Sequence, residues 1–229
     1  MKLATVLTLV MLAAAIGDSD NAFGQEPGLI CPSGALLAQP PNLGSEGWDA
    51  YVSDSAAGYF RYETLRGMPE PVCGIRWWGL AAADSGAGLV ECDDTPASFG
   101  ITFYGDDQDR PGATVCSYAI DVAGTAVAVV NGWTLYEYEV SLDSCCVLTD
   151  GWVSIAGANG VPSCWFLWNS SPVGDDSACQ RNPVNDLVCA SGQHFRDLSL
   201  CLTGYPVPVE PSTWGAIKAR YGDLFLRLR

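Results

Sequence analysis

Short runs of alternating or continuous apolar residues recur between residues 59 and 204, with turn-forming residues between them. The runs are rich in Val, Ile, Thr and aromatic residues, which favour β-strands. They lie at residues 59–65, 72–78, 99–104, 113–120, 126–130, 133–142, 151–156, 164–168 and 198–203. Asn131 and Gly132 separate two of the runs, and this dipeptide is a strong hairpin signal. The pattern predicts eight or nine strands, because no amphipathic helical stretch of useful length interrupts the series.

Strict alternation is typical of strands with one buried and one wet face, as in antiparallel sheets. We therefore predict an all-β protein, an antiparallel β-sandwich of jelly-roll type stapled by disulfides. A closed barrel is the alternative. The β-domain is expected at residues 59–204. Residues 25–58 hold many Pro, Gly and Ser residues without a sustained period, so we expect an irregular segment that packs on the domain.

The two ends of the sequence differ from this body. Lys2, a run of 14 apolar residues and the small-x-small pattern at residues 22–24 predict a signal peptide over residues 1–24. The apolar run is shorter than the roughly 20 residues that a bilayer requires, so we expect no membrane insertion after cleavage. Residues 205–211 form a proline-rich linker. Residues 212–229 form a basic, amphipathic tail with helical spacing.

The ten cysteines predict a disulfide framework, because their number is even and the chain is expected to be exported. A zinc site is disfavoured, since there is no C-x-x-C pair and His194 is the only histidine. Adjacent Cys145 and Cys146 are expected to bridge to different partners, and Cys179 and Cys189 bracket a polar loop that a bridge between them would close. The ten are Cys31, Cys73, Cys92, Cys116, Cys145, Cys146, Cys164, Cys179, Cys189 and Cys201.

The chain carries 26 acidic and 11 basic residues, a net charge of −15. Such a chain repels phosphates, so binding to nucleic acid or to anionic membranes is disfavoured. Together with the predicted signal peptide and disulfides, the charge predicts a soluble protein that is secreted or held at the cell surface.

Six strings of sequence carry a resemblance over residues 31–204: CGIRWWG at 73–79, FGITFYGDD at 99–107, RPGA at 110–113, LTDGWVSI at 148–155, CWFLW at 164–168 and DLSLCLTG at 197–204. Together they resemble a family of secreted β-sandwich modules, known mostly from uncharacterised proteins of environmental bacteria. The resemblance implies a sandwich similar in architecture to carbohydrate-binding or adhesive modules, and it implies no catalytic residues. Residues 212–221 resemble a bacterial C-terminal sorting signal; a frayed tail or a helix packed on the domain is the alternative.

The common catalytic signatures are absent from the sequence. It has no G-x-S-x-G, H-E-x-x-H or P-loop motif. All ten cysteines are expected to be oxidised, which leaves no thiolate nucleophile. We therefore expect a protein that is not an enzyme, although a glycosidase needs only two carboxylates and nothing in the sequence singles out a pair.

The eight tryptophans give the best indication of a ligand. Neighbours in a strand point to opposite faces, so Trp77 and Trp78 are expected to diverge, as are Trp165 and Trp168. We therefore expect at least some of the rings to be partly exposed, where they can stack on a sugar or anchor a protein. Packing under loops or against the N-terminal segment is the alternative. The candidate ligand-binding residues are Trp77, Trp78, Trp165 and Trp168.

Three aspartates crowd the turn that follows the run at residues 99–104. Asp106, Asp107 and Asp109 offer the carboxylate oxygens that calcium prefers, although their spacing matches no known calcium loop. They are the candidate metal ligands, with calcium as the candidate cation and a solvated turn as the alternative.

Three functions follow as hypotheses. The first is a secreted, non-catalytic recognition module whose ligand is an extracellular glycan. The second is a structural or adhesive surface protein, whose partner is another surface protein and whose tail is a sorting signal. The third is a carboxylate-dependent glycoside hydrolase.

Overall fold

The computed structural model describes residues 28–44, 48–92, 98–158, 164–184, 186–191 and 196–205. The strands are β1 (Leu37–Gln39), β2 (Ala50–Val52), β3 (Phe60–Leu65), β4 (Val72–Asp84), β5 (Leu89–Glu91), β6 (Ser98–Asp106), β7 (Pro111–Asp121), β8 (Thr125–Val130), β9 (Trp133–Cys146), β10 (Gly151–Gly157), β11 (Trp165–Asn169), β12 (Ser177–Arg181), β13 (Val188–Ser191) and β14 (Leu200–Thr203). Over these ranges no helix is long and apolar enough to span a membrane. The predicted signal peptide and C-terminal helical tail lie outside the described residues, as does most of the proline-rich linker.

The strands form two sheets whose ladders between the named strands are all antiparallel, as the alternation predicts. The first sheet has eight strands and is organised around the long β4, which pairs with β14 and β11 on one side and with β9 and β5 on the other. The second sheet has six strands in the order β13-β12-β3-β10-β6-β7. The all-β, sandwich-like prediction is confirmed at this level.

The hairpin predicted at Asn131 and Gly132 is present. β8 pairs with β9 from Val130 and Trp133 onward, so these two residues form a two-residue turn. Both have positive φ, 51° for Asn131 and 86° for Gly132, as the type I′ turn of a tight hairpin requires. The sequence signal therefore reports a real backbone requirement.

The principal core lies between the two sheets. Alternate residues of β6 (Phe99, Ile101 and Phe103) face Trp77 and Tyr138 from the first sheet. The Trp77 and Tyr138 rings stack with centroids 5.4 Å apart, and Phe99 meets both edge-on. Each such aromatic pair adds about 0.5–1.5 kcal/mol beyond the burial of its apolar area.

A second apolar cluster covers the outer face of the eight-stranded sheet. Trp78, Leu80 and Leu135 point outward from this sheet, and residues such as Leu29 and Trp48 of the N-terminal segment pack over them. That segment, expected to be irregular, also supplies the two short strands β1 and β2. The sheet is therefore apolar on both faces, and the burial of Trp78 follows from this additional layer.

All ten cysteines are paired, as predicted. Cys145 and Cys146 bond to different partners, and Cys179 is bonded to Cys189. The five bridges are Cys31–Cys201, Cys73–Cys145, Cys92–Cys164, Cys116–Cys146 and Cys179–Cys189.

Candidate recognition groove and acidic cluster

The four tryptophans proposed as ligand contacts lie mainly in the interior. Trp77 and Trp168 belong to the core between the sheets, whereas Trp78 and Trp165 belong to the outer cluster, so both pairs diverge as predicted. Trp77, Trp78 and Trp168 have 0% exposed surface, and Trp165 is partly buried. Of the expected partly exposed rings, only Trp165 is present among the four, because both faces of the sheet are covered at the other three positions. Ligand binding by these tryptophans stays a prediction, and Trp165 is the one that a surface ligand could reach.

The three aspartates proposed to bind calcium lie in the turn between β6 and β7. Asp106 accepts a hydrogen bond from Trp152 Nε1 at 3.0 Å, and this bond is the main cause of its lowered pKa. Arg66 reaches both Asp106, at 3.4 Å, and Asp109, at 2.9 Å. A guanidinium group thus already neutralises part of the charge of this turn. Calcium binding at Asp106, Asp107 and Asp109 stays a prediction.

A different set of aromatic residues lies on the outer face of the six-stranded sheet. Alternation along β3 places Phe60 and Tyr62 on this face and leaves Glu63 inward, and Tyr104 projects from β6 on the same face. Trp152 of β10 lies between them, fully buried, and its indole bond to Asp106 fixes its orientation. The Tyr62 and Tyr104 rings meet edge-on with centroids 5.5 Å apart. Together these residues form an aromatic floor with Phe60 and Tyr104 partly exposed.

Two adjoining depressions of about 440 and 410 Å³ lie over this floor. They share Arg181 and Asp186, so we treat them as one groove, the candidate recognition groove. Arg181 lies directly opposite Phe60 in the pairing of β12 with β3. The described residues that line the groove are Gly58, Phe60, Tyr62, Tyr104, Pro111, Gly112, Arg181, Asn182, Pro183, Val184, Asp186 and Leu187.

A disulfide-closed hairpin forms one wall of the groove. Cys179 of β12 pairs directly with Cys189 of β13, and their bond closes the loop that carries Pro183 and Asp186. Pro183 of this loop packs on Gly58, whose φ is +74°. A Cβ there would lie 3.0 Å from Pro183 Cγ, so glycine suits both the turn and the close approach of the wall.

The groove offers neutral donors, one cation and one anion. Burial raises the pKa of both Tyr62 and Tyr104, while the Arg181 guanidinium partly opposes this increase. Both phenols therefore keep their protons at neutral pH. Asp186 is the one carboxylate among the described lining residues. This combination suits a ligand with apolar faces and several hydroxyl groups better than a strongly charged ligand.

A separate acidic cluster lies behind β3. Three carboxylate oxygens lie within 4.8 Å of one another, one from each of Glu63, Asp175 and Asp197. Glu63 is fully buried and Asp197 is 3% exposed, whereas Asp175 is exposed. Burial, reinforced by the negative charge of Asp197, raises the pKa of Glu63 well above its ordinary value. Three oxygen donors in this arrangement are able to hold a metal ion.

The backbone is arranged to present these carboxylates. Leu198 N–H donates to Glu63 Oε2 at 2.7 Å, and the N–H groups of Asp175 and Asp176 donate to Asp197. Gly174 allows the loop to wrap Asp197, because a Cβ at this glycine would overlap the Asp197 carboxyl group.

No sequence pattern indicates either site. The alternation of residues 59–65 places Phe60 and Tyr62 on one face of the strand and Arg61 and Glu63 on the other. The pattern therefore predicts that the aromatic side chains face the core, whereas in the structure Glu63 is inward and Phe60 and Tyr62 lie on the outer face. Nor does any pattern connect Glu63 with Asp175, because the two meet only through the pairing of β12 with β3.

Comparison with known proteins adds no relative: no protein-family model, curated protein or solved structure matches the chain.

Proposed function

We propose that the protein is an exported, non-catalytic recognition module that binds carbohydrate in the groove on the outer face of β12, β3 and β6. The observation that carries the proposal is the pair of adjoining depressions, one lined by Phe60 and the other by Tyr104, that have Arg181 and Asp186 in common. Sugar rings have apolar C–H faces that stack on aromatic rings, and their hydroxyl edges bond to charged and phenolic groups.

The size of the groove agrees with this ligand class. Each depression lies within the range of about 300–1,000 Å³ that is typical of small-ligand sites. The two shared residues, Arg181 and Asp186, place polar groups at the middle of the groove. We therefore expect a ligand of two or more sugar units that contacts both depressions.

Recognition without catalysis is the better interpretation. A glycosidase requires two carboxyl groups about 5–10 Å apart on either side of the scissile bond. The described lining residues offer only Asp186. The acidic cluster is no substitute, because Glu63 and Asp197 are buried and a sugar cannot reach between them.

Export is part of the proposal. Five disulfides are compatible with an extracellular, oxidising environment, and the net charge of −15 favours solubility there. The same charge disfavours acidic polysaccharides, so we propose neutral glycans as the ligand class. We further propose that the strands are connected in jelly-roll order. We also propose a location at a bacterial surface, with residues 212–229 as a sorting signal.

A glycan-array screen of the oxidised protein tests it, with the Tyr104→Ala and Arg181→Ala variants. We expect binding to one class of neutral glycan and a loss of affinity of about 10- to 30-fold in each variant, equivalent to about 1.4–2 kcal/mol. Tyr205→Ala is the matched control, because this tyrosine is 59% exposed and lines a different depression.

Three outcomes discriminate the hypotheses. Loss of binding in the two groove variants alone supports the proposal. Loss in Tyr205→Ala instead moves the site away from the groove. If the protein binds no glycan on a broad array, carbohydrate recognition is contradicted and the structural or adhesive surface protein is favoured.

A further inference from the structure

We propose that Glu63, Asp175 and Asp197 form a calcium site that is independent of the recognition groove. The three side chains come from β3, from the residue pair before β12 and from the segment before β14. If all three are ionised, they carry three negative charges with Glu63 and Asp197 buried. None of the ion pairs that the described residues form includes any of the three.

A buried amide beside the cluster gives the second reason for a ligand. Gln39 is 3% exposed, and its Nε2 lies 3.2 Å from Glu63 Oε1. The Oε1 atom of the same amide has no hydrogen-bond partner in the described structure. In this orientation the amide nitrogen faces Glu63. A half-rotation of the amide exchanges its two polar atoms, so the hydrogen bond to Glu63 is given up and the oxygen becomes a fourth oxygen of the cluster. A cation bound there would be the partner of that oxygen.

The donor set and its irregular geometry favour calcium. Every donor is oxygen, and the three carboxylate oxygens lie within 4.8 Å of one another, close enough to share one ion. Magnesium also binds oxygen, but it requires a near-ideal octahedron and usually keeps several water molecules. Calcium takes six to eight oxygens in a flexible geometry, so it tolerates an arrangement with one buried and one exposed edge.

The exposed edge gives the ion a route in. Asp175 is exposed, and Thr64 Oγ1 holds its carboxylate by hydrogen bonds of 3.0 Å to both oxygens. Water molecules on this side are able to complete the six to eight ligands that calcium takes. A bound ion would join the start of β12 to the middle of β3 and to the segment before β14.

The test uses the full chain, secreted in oxidised form, stripped with EDTA and titrated with calcium chloride. We expect one calcium ion per chain by isothermal titration calorimetry. At about ten times the dissociation constant, calcium should raise the Tm by about 3–6 °C. Asp175→Asn should weaken binding at least tenfold, because it removes a charged ligand from an exposed position where folding is not at risk.

Two control variants keep the result specific in so acidic a protein. Asp176→Asn changes the adjacent carboxylate, whose side chain is outside the cluster, and asparagine tolerates the positive φ of 55° there. Asp107→Asn removes charge from the turn at residues 106–109. Both controls should bind calcium as the unaltered protein does.

Glu63→Gln provides a second readout at the buried ligand. We expect this variant to remain folded in EDTA, because glutamine has the same shape without a buried charge, and to lose the rise in Tm with calcium. The proposal is overturned if calcium leaves the Tm and the calorimetric signal unchanged. It is equally overturned if Asp175→Asn binds calcium normally, or if Asp107→Asn abolishes binding.

Discussion

Gly79 lies where two strands of the eight-stranded sheet approach each other closely. It is a residue of β4, and it pairs with Trp168 of the adjacent β11. A Cβ at this position would overlap the Phe166 ring and lie 2.6 Å from the Leu167 carbonyl oxygen. Backbone atoms cannot move aside as a flexible side chain can, so the absence of a side chain is a packing requirement here.

We expect Gly79→Ala to lower the free energy of unfolding by about 3 kcal/mol, the upper end of the usual cost of overpacking. Gly100→Ala is the matched control, because Gly100 also lies in a strand but a Cβ there would meet no atom within 4 Å. The control should be neutral or slightly stabilising, since alanine restricts the unfolded chain. Guanidinium unfolding of both variants measures the difference; equal losses would contradict the packing argument.

Residue-level patterns predict orientation better than exposure. Alternation correctly places Trp77 and Trp78 on opposite faces, because the side-chain period of a strand is two residues. It does not predict that both are buried, since the layer over Trp78 comes from residues before β2 that carry no regular pattern. The acidic cluster is beyond sequence reasoning for a similar reason, because long-range pairing alone brings Glu63 to Asp175.

At the scale of elements, the runs that the pattern predicts coincide with long or central strands. The strands it misses, β1, β2, β5, β12 and β13, have three to five residues each. β12 is Ser-Ala-Cys-Gln-Arg, with no alternation and little β propensity. Its partners β3 and β13 and the bridge to Cys189 determine its position.

The disulfides with the shortest and the longest separation in the sequence should contribute differently to the free energy of unfolding. Cys179–Cys189 spans 10 residues, and Cys31–Cys201 spans 170. Loop-closure entropy gives about 2.7 kcal/mol for the short loop and at most about 5 kcal/mol for the long one, whose effective length the other bridges reduce. We expect the Cys31→Ala/Cys201→Ala variant to lose more stability in guanidinium unfolding.

Glycan binding should show the opposite order. The Cys179→Ala/Cys189→Ala variant loosens the wall that carries Asp186, so its affinity should fall while that of the other double variant is retained. Equal effects of both variants on affinity would mean that the wall contributes no specific contact.

For the whole molecule, buried carboxyl groups determine how stability depends on pH. Burial raises the pKa of Glu63 well above its ordinary value, and it also raises the pKa of Asp54 and Asp197. Between the unfolded and the folded pKa, the native state holds protons that the unfolded chain has released. Stability is therefore greatest below the ordinary carboxyl pKa and falls as pH rises through the raised folded pKa.

We expect the Tm in EDTA to decrease between about pH 4 and pH 8, and Glu63→Gln to flatten this decrease because glutamine does not titrate. Calcium should reduce the decrease in the unaltered protein, since it binds the ionised carboxylates and its affinity rises with pH. Scanning calorimetry over this range makes the comparison. An unchanged slope in Glu63→Gln would show that other groups control the dependence.

The Cys31–Cys201 bridge also determines how the molecule responds to mechanical load. The two Cα atoms are 5.5 Å apart although 170 positions separate them in the chain. Tension applied before Cys31 and after Cys201 therefore passes through one covalent bond and bypasses the sheets. Without that bond, the shortest covalent path through the other four bridges would still extend to about 300 Å. With it, the groove and the acidic cluster carry no force, and the protein behaves as an inextensible link for as long as the bridge remains oxidised.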